Sequence, residues 1–270
     1  MKLKKKKRTS KRGRKGIFIL PNLFTSASLF GGFYSIIATI QSRYEAAAIA
    51  IIIAAIFDGL DGRIARFTKT TSHFGTEYDS LSDLVSFGVA PAILAFLWAL
   101  APFGRLGWLA AFMYVICGAL RLARFNVEKS GLKSSYFKGL PIPAAACFIA
   151  SLILFSSTIN VFSERRDIVI IVMIYILSFL MVSSLNYMNF KEFNIRNQKP
   201  FNVFVAVILI FIVIAYKPKV LLFLILLLYI LSGPIIGLYY FRGKRYAKII
   251  PQGTEDYKDI NRLNDQGTVG

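Results

Sequence analysis

Long stretches without a charged residue recur along the whole chain. Five of them are free of Asp, Glu, Lys and Arg, and each has at least 21 residues. A helix needs roughly 20 apolar residues to cross a hydrocarbon core about 30 Å thick. Each stretch therefore predicts a membrane-spanning helix. The five stretches are residues 16–42, 84–104, 139–163, 168–190 and 220–241.

Three further segments, residues 46–66, 106–124 and 201–216, are apolar but shorter or interrupted by charges. Together with the five longer stretches they predict about eight spans, and hence an all-α polytopic membrane protein. A β-barrel would instead show segments of about ten residues with alternating polarity. Residues 203–215 are apolar at every position, so the pattern favours helices.

The composition narrows the class of protein. Hydrophobic residues make up 56% of the chain and the mean hydropathy is +0.57, which leaves too few polar residues to cover a soluble globule. The net charge of +19 does not indicate disorder, because the apolar content is high. Cys117 and Cys147 both lie in apolar runs and are predicted to be small core residues.

The basic residues predict the orientation. If the N-terminus is cytoplasmic, 27 of the 33 Lys and Arg residues fall on the cytoplasmic side of the eight spans, as the positive-inside rule requires. Both termini are then cytoplasmic. The predicted division is a basic tail over residues 1–16, a membrane domain over 17–242 and a polar tail over 243–270. The basic face is expected to attract anionic membrane lipid, and nothing predicts a nucleic-acid partner.

An acidic cluster lies in the second predicted span and directly before the third. Asp58 and Asp61 are three residues apart, and Asp79 and Asp83 are four apart, so each pair lies on one face of a helix. Four neighbouring carboxylates repel one another unless cations lie between them, and oxygen ligands without His or Cys favour Mg²⁺ or Mn²⁺. The pattern predicts a two-metal site at the cytoplasmic boundary. The alternative is a set of structural ion pairs with Arg63, Arg66 and Lys69.

Glycines and an arginine accompany the acids. Gly59, Gly62 and Gly75 are poor helix formers, so a close approach by a ligand or a facing helix is expected at these positions. Arg66 is eight residues beyond Asp58, on roughly the same side of the helix, and can bind a phosphate with two parallel hydrogen bonds. The combination predicts phosphoryl-transfer chemistry.

The spacing D-x-x-D-G-x-x-A-R-x8-G-x3-D-x3-D, from Asp58 to Asp83, resembles the signature of the CDP-alcohol phosphotransferases without a gap or substitution. The resemblance implies transfer of a phosphatidyl or similar group from a CDP-linked donor to an alcohol, with release of CMP. It implies that Asp58, Asp61 and Asp79 hold two divalent cations, while Asp83 completes the site and acts as general base. By the same analogy the donor CDP-diacylglycerol is bound by Asn22, Thr25, Gly62, Ala65, Arg66, Ser72 and Gly75.

Three other segments, residues 82–92, 121–126 and 137–143, resemble the membrane-integral phosphatidylserine synthases of this family. The resemblance implies L-serine as acceptor and a homodimer, and the short cytoplasmic tails fit a prokaryotic cell membrane. Arg121 and Arg124 can clamp the carboxylate of serine, and Asn126 can bind its ammonium or hydroxyl group. Alternatively, both arginines extend to the lipid headgroups as topology anchors.

Two other functions stay open from the sequence. The first keeps the chemistry but uses glycerol phosphate, inositol phosphate or choline as acceptor. The second is a divalent-cation transporter, which would place acids near the bilayer midplane on several helices. Here the acids cluster at one edge of two helices, a placement that favours the enzyme.

Overall fold

The computed structural model describes residues 19–68, 72–129, 137–159, 166–187 and 217–249. Its first two helices, α1 (Ile19–Ile40) and α2 (Tyr44–Thr68), are joined by a tight turn in which Ser42 has a positive φ of 59°. Small residues bring the two helices together: a Cβ atom at Gly31 would lie 3.1 Å from Cβ of Ala54. Close packing of small residues is typical of helix pairs in membranes.

The next element is one continuous helical stretch, His73–Phe103, in which the helix type changes four times. It consists of α3 (His73–Asp83), a first π segment (Leu84–Val89), α4 (Ala90–Ala95), a second π segment (Phe96–Leu100) and one 3₁₀ turn (Ala101–Phe103). In a π segment the backbone hydrogen bonds shift from the fourth to the fifth residue, as in the bond from Ala90 N–H to the Val85 carbonyl. Such segments are frequent at functional sites.

Four more helices complete the described part of the chain: α5 (Arg105–Lys129), α6 (Ile142–Ile159), α7 (Arg166–Val182) and α8 (Pro218–Ile249). Two short strands, β1 (Phe137–Lys138) and β2 (Asn186–Tyr187), pair antiparallel beside the end of α7. Gly139 follows β1 with a φ of 80°, and its N–H donates to the Leu185 carbonyl. This left-handed conformation is one that glycine adopts readily.

The outer surface of the helices is apolar. Phe30, Phe112 and Phe179 are 70%, 53% and 73% exposed. So many exposed large apolar side chains fit a lipid environment and not water. Within the part of the chain that the structure describes, four stretches are long and apolar enough to cross a membrane: Pro21–Ile40, His73–Phe103, Arg105–Val127 and Pro218–Gly237. The fold is therefore that of a helical membrane protein.

A described helix occupies each predicted span except residues 201–216, which lie outside the described residues. The helices Ile142–Thr158 and Ile168–Val182 are apolar but shorter than a full span. The count of eight spans and the orientation of the termini stay predictions. The predicted tail 1–16 lies outside the described residues, and α8 continues to Ile249, beyond the predicted start of the polar tail at residue 243.

Candidate active site

Four carboxylates from two helices meet at one end of the bundle. Helix α2 provides Asp58 and Asp61, and α3 provides Asp79 and Asp83. One carboxylate oxygen from each of Asp58, Asp61 and Asp79 lies within 4.8 Å of the other two. The Asp83 carboxyl group is next to that of Asp58. The predicted convergence of the two acidic pairs is therefore present in the structure.

This donor set fits a hard divalent cation. It consists of carboxylate oxygens without His or Cys, which is the chemistry that Mg²⁺ and Mn²⁺ prefer. Asp61 is only 6% exposed, and Oδ1 of Asp83 is buried without a hydrogen-bond partner among the described residues. Buried carboxylates of like charge are strongly unfavourable unless a cation compensates them. The cluster can therefore hold a metal.

The alternative of structural ion pairs is not tested for two of its three partners. Arg63 is exposed on α2. The side chain of Arg66 and the whole of Lys69 lie outside the described residues. The predicted contact of Arg66 with a phosphate therefore stays a prediction, as does the predicted role of Ala65, whose side chain is likewise not described.

Thr25 of α1 links the two acidic helices. Its buried hydroxyl lies 2.7 Å from Oδ2 of Asp61 and 3.2 Å from the Pro21 carbonyl, and it donates to both acceptors. Its backbone carbonyl accepts a hydrogen bond of 3.1 Å from the hydroxyl of Ser82, the residue before Asp83. Helix α1 therefore fixes the position of α2 through Asp61 and that of α3 through Ser82.

Three of the predicted donor-binding residues converge at the start of α3. Ser72 caps the helix, and its Oγ accepts a hydrogen bond of 3.0 Å from the backbone N–H of Gly75. A Cβ atom at Gly75 would lie 3.3 Å from Oδ1 of Asn22. A side chain at position 75 would thus crowd both Ser72 and Asn22, which explains why glycine suits this position.

Gly59 and Gly62, unlike Gly75, have open surroundings. A Cβ atom at either position would have no neighbour within 4 Å among the described residues, so the expected close approach of a facing helix is wrong. The reason is the phase of α2, which packs through the face that carries Ala54 and Asp61. Gly59 and Gly62 point roughly 80–140° away from Ala54 at 100° per residue, and both are exposed. A ligand approaching Gly62 stays a prediction.

Helix α5 brings the predicted acceptor residues to the same end of the bundle. The side-chain amide of Asn126 donates a hydrogen bond of 2.9 Å to Oγ of Ser80, the residue after Asp79. Nε of Arg121 is buried without a hydrogen-bond partner among the described residues, and its guanidinium group lies within electrostatic range of Asp83. Arg124 is half-buried one turn further along α5.

Sequence reasoning missed two tyrosines that lie close to these residues. Tyr229 of α8 is within electrostatic range of Arg121, and its ring packs on Tyr187 with 5.7 Å between centroids. Tyr114 of α5 is fully buried, and its hydroxyl donates to the Phe87 carbonyl just beyond Asp83. Both tyrosines lie in long apolar runs, where no pattern of polar residues marks them.

Known proteins are similar in sequence to this chain over most of the helical bundle. A family model described as CDP-alcohol phosphatidyltransferase matches residues 18–179. A CDP-diacylglycerol–serine O-phosphatidyltransferase of Helicobacter pylori is 39% identical over 171 residues, which are 63% of this chain and 72% of the relative.

Two relatives from other domains of life show a similar level of identity. An archaetidylserine synthase of Methanothermobacter thermautotrophicus is 42% identical over 170 residues, 62% of this chain and 69% of the relative. A CDP-diacylglycerol–serine O-phosphatidyltransferase of Saccharomyces cerevisiae is 37% identical over 150 residues, 48% of this chain and 51% of the relative. The names of all three relatives contain serine; two of them name CDP-diacylglycerol and the third names archaetidylserine.

Proposed function

Because this chain belongs to the CDP-alcohol phosphatidyltransferase family, we propose that it transfers the phosphatidyl group of CDP-diacylglycerol to the hydroxyl of L-serine. The products are phosphatidylserine and CMP. The observation that carries the proposal is the cluster of carboxylates from Asp58, Asp61 and Asp79 within 4.8 Å of one another, with Asp83 beside them. The serine names of the relatives support the acceptor.

Two divalent cations, Mg²⁺ or Mn²⁺, are the proposed cofactors. Asp58, Asp61 and Asp79 hold them, and Asp83 completes the site. When bound, such cations neutralise the diphosphate of the donor and stabilise the departing CMP. The hydrogen bond from Thr25 keeps one oxygen of Asp61 in a fixed orientation. Residues that hydrogen-bond to a metal ligand in this way fix the orientation of that ligand.

Side chains of the protein accept the proton and bind the substrates. Asp83 accepts the proton of the serine hydroxyl, whose oxygen forms a bond to the phosphorus that bears the diacylglycerol. The bond from that phosphorus to the oxygen of CMP breaks, and CMP leaves with the bonding electrons. The donor is held by Asn22, Thr25, Gly62, Ala65, Arg66, Ser72 and Gly75, of which Asn22, Ser72 and Gly75 converge at the start of α3.

The acceptor side is formed by α5. Arg121 binds the carboxylate of serine, Arg124 adds a second positive charge and Asn126 binds the ammonium or hydroxyl group. The unpartnered buried Nε of Arg121, near Asp83, supports this assignment, because a buried N–H without a hydrogen-bond partner is unfavourable until an acceptor binds. The bond between Asn126 and Ser80 holds α5 against α3 and therefore keeps the acceptor residues close to the acids.

The proposed membrane arrangement has about eight spans within residues 17–242 and both termini in the cytoplasm. The distribution of 27 of the 33 basic residues supports it. The active site then lies at the cytoplasmic face of a prokaryotic cell membrane, where the basic loops attract the anionic donor and other anionic lipid. The family resemblance supports a homodimer.

The decisive experiment measures incorporation of radiolabelled serine into lipid by the purified full-length protein with CDP-diacylglycerol and Mn²⁺ or Mg²⁺. We expect metal-dependent label in phosphatidylserine and equimolar CMP. Asp83→Asn should abolish both products. Glu45→Gln is the matched control, because Glu45 lies at the opposite end of α2 and bonds to Lys219 at 2.9 Å.

The outcomes separate the alternatives. CMP release with glycerol phosphate, inositol phosphate or choline but not with serine would keep the family and overturn the acceptor. Absence of CMP with every alcohol would overturn the proposed enzyme, and metal uptake into vesicles would then favour the transporter. Equal activity of the wild type and Asp83→Asn would remove Asp83 as the base.

A further inference from the structure

Asp83 lies at a junction between two helix types. It is the last residue of α3, and the first π segment begins at Leu84. Oδ1 of Asp83 has no hydrogen-bond partner among the described residues. The Asp83 carboxyl group contacts that of Asp58, and the backbone at the helix junction sets the direction in which its side chain leaves α3.

One carbonyl of the first π segment accepts a hydrogen bond from another helix. In an α-helix the carbonyl of Phe87 would accept from the N–H of residue 91, but Pro91 has none. The hydroxyl of Tyr114, from α5, donates to this carbonyl at 3.1 Å. Tyr114 is 0% exposed, so no water can take its place. An unsatisfied buried carbonyl would cost about 1–3 kcal/mol.

Helix α1 holds the opposite side of the same segment. The hydroxyl of Ser86 donates to the Ser28 carbonyl at 3.1 Å. A Cβ atom at Gly32 would lie 2.5 Å from Cα of Ser86, so the two backbones approach as closely as glycine allows. The hydroxyl of Ser82 adds a bond to the Thr25 carbonyl at 3.1 Å. Asp83 is therefore flanked by anchors at residues 82, 86 and 87.

We propose that Tyr114 is a positioning residue for Asp83: its hydrogen bond to the Phe87 carbonyl holds the π segment in the register that directs the Asp83 carboxylate at the acidic cluster. Tyr114 touches neither substrate nor metal in this assignment. The inference rests on the proposed function, since it assumes that Asp83 takes part in the reaction.

The chain contains its own matched control. In the second π segment the carbonyl of Leu97 accepts a hydrogen bond of 3.2 Å from the hydroxyl of Tyr44. The fifth residue after Leu97 is Pro102, which again cannot donate. Tyr44 thus also donates its hydroxyl to a carbonyl of the same long helical stretch, but this contact is exposed and lies at the end away from Asp83.

The test compares Tyr114→Phe with Tyr44→Phe in the full-length protein. For Tyr114→Phe we expect kcat to fall about 10–100-fold, because a displacement of about 1 Å can cost that much. The KM values for serine and CDP-diacylglycerol should stay within about twofold of wild type, because the binding residues are untouched. Tyr44→Phe should keep kcat within about twofold of wild type.

A second measurement does not depend on activity. Electron paramagnetic resonance of Mn²⁺ titrated into the detergent-solubilised protein reports the metal site without turnover. We expect weaker Mn²⁺ binding in Tyr114→Phe and unchanged binding in Tyr44→Phe. In the Tyr114→Phe background, Pro91→Ala restores a backbone N–H four residues after Phe87, and kcat should partly recover.

The results distinguish this inference from the proposed function. A wild-type protein that releases no CMP would overturn the proposed function itself. An active wild type with equal kcat and Mn²⁺ binding in Tyr114→Phe and Tyr44→Phe would overturn only the role of Tyr114. Absence of any recovery with Pro91→Ala would overturn the hydrogen bond to Phe87 as the cause.

Discussion

The hydroxyl of Thr25 lies 2.7 Å from Oδ2 of Asp61 and donates a hydrogen bond to it. The two residues are 36 positions apart and belong to α1 and α2. Both are buried, at 4% and 6% exposure, so water does not compete for the bond. Because the carbonyl of Thr25 also accepts from Ser82, this one residue fixes the relative position of both acidic helices.

Replacement of Thr25 by valine should weaken metal binding. Valine keeps the volume but removes the donor to Asp61, and loss of such an outer partner typically costs about 10–100-fold in metal affinity or activity. We expect the Mn²⁺ concentration that gives half-maximal activity to rise by this factor. Mn²⁺ titrations followed by electron paramagnetic resonance should show the same loss of affinity. Thr25→Ser should retain most of the affinity.

Thr39→Val is the matched control for this prediction. Thr39 is also a buried residue of α1, and its hydroxyl bonds to the carbonyl four residues earlier at 2.7 Å, but the structure gives it no bond to an acid. Its replacement should leave Mn²⁺ affinity unchanged. A comparable loss in both variants would show that the effect comes from packing of α1 and not from the bond to Asp61.

The acidic site was predictable because its signal is local. Asp58 and Asp61, like Asp79 and Asp83, are spaced by three or four residues, which fixes their common helix face before any packing is known. The apolar runs likewise indicate where helices lie, since about 20 such residues are needed for a span. These two patterns predicted the class of fold and the centre of the site.

The contacts that orient the site could not be predicted in this way. The bond from Thr25 to Asp61 depends on how α1 packs on α2, and hydropathy does not encode that packing. The π segments depend on a shift of the hydrogen-bond pattern by one residue, for which Pro91 is at most a hint. At Gly59 the predicted facing helix is wrong, because the position is open among the described residues, and the alternative approach of a ligand stays a prediction.

Asp58→Asn should make the metal-free protein more stable. The Asp58 carboxyl group is close to those of Asp61, Asp79 and Asp83, so its removal relieves repulsion inside a buried cluster. We expect a higher melting temperature in EDTA than for wild type, at about 2–4 °C for each kcal/mol gained. The same variant should lose the rise in melting temperature that Mn²⁺ produces in the wild type.

Glu45→Gln is the control, because it removes an acid that pairs with Lys219 at the exposed opposite end of α2. Exposed pairs contribute about 0–1 kcal/mol, so its melting temperature should change little and its stabilisation by Mn²⁺ should persist. If Asp58→Asn is less stable than wild type in EDTA and still responds to Mn²⁺, the acidic cluster is not the metal site.

A double-mutant cycle should detect the hydrogen bond between Asn126 and Ser80 as a coupling free energy. The amide of Asn126 donates to Oγ of Ser80 at 2.9 Å and joins α5 to α3. We expect Asn126→Ala and Ser80→Ala to lower kcat/KM for serine, and the double variant to lose less than the product of the two effects. A coupling of about 1 kcal/mol corresponds to about fivefold. Strict additivity would indicate that Asn126 acts on the substrate independently of Ser80.

Arg121→Gln should change the choice of acceptor. If the buried guanidinium binds the carboxylate of serine, its loss removes a charge-assisted bond of about 1.5–3 kcal/mol, or roughly 10–100-fold in KM for serine. Ethanolamine lacks the carboxylate, so kcat/KM for ethanolamine should be unaffected, and the ratio of kcat/KM for serine to that for ethanolamine should fall by the same factor. Arg105→Gln, an exposed arginine at the other end of α5, is the control and should leave the ratio unchanged. An equal loss for serine and ethanolamine in Arg121→Gln would show that Arg121 supports the site or the donor, because only contact with the carboxylate makes the loss specific to serine.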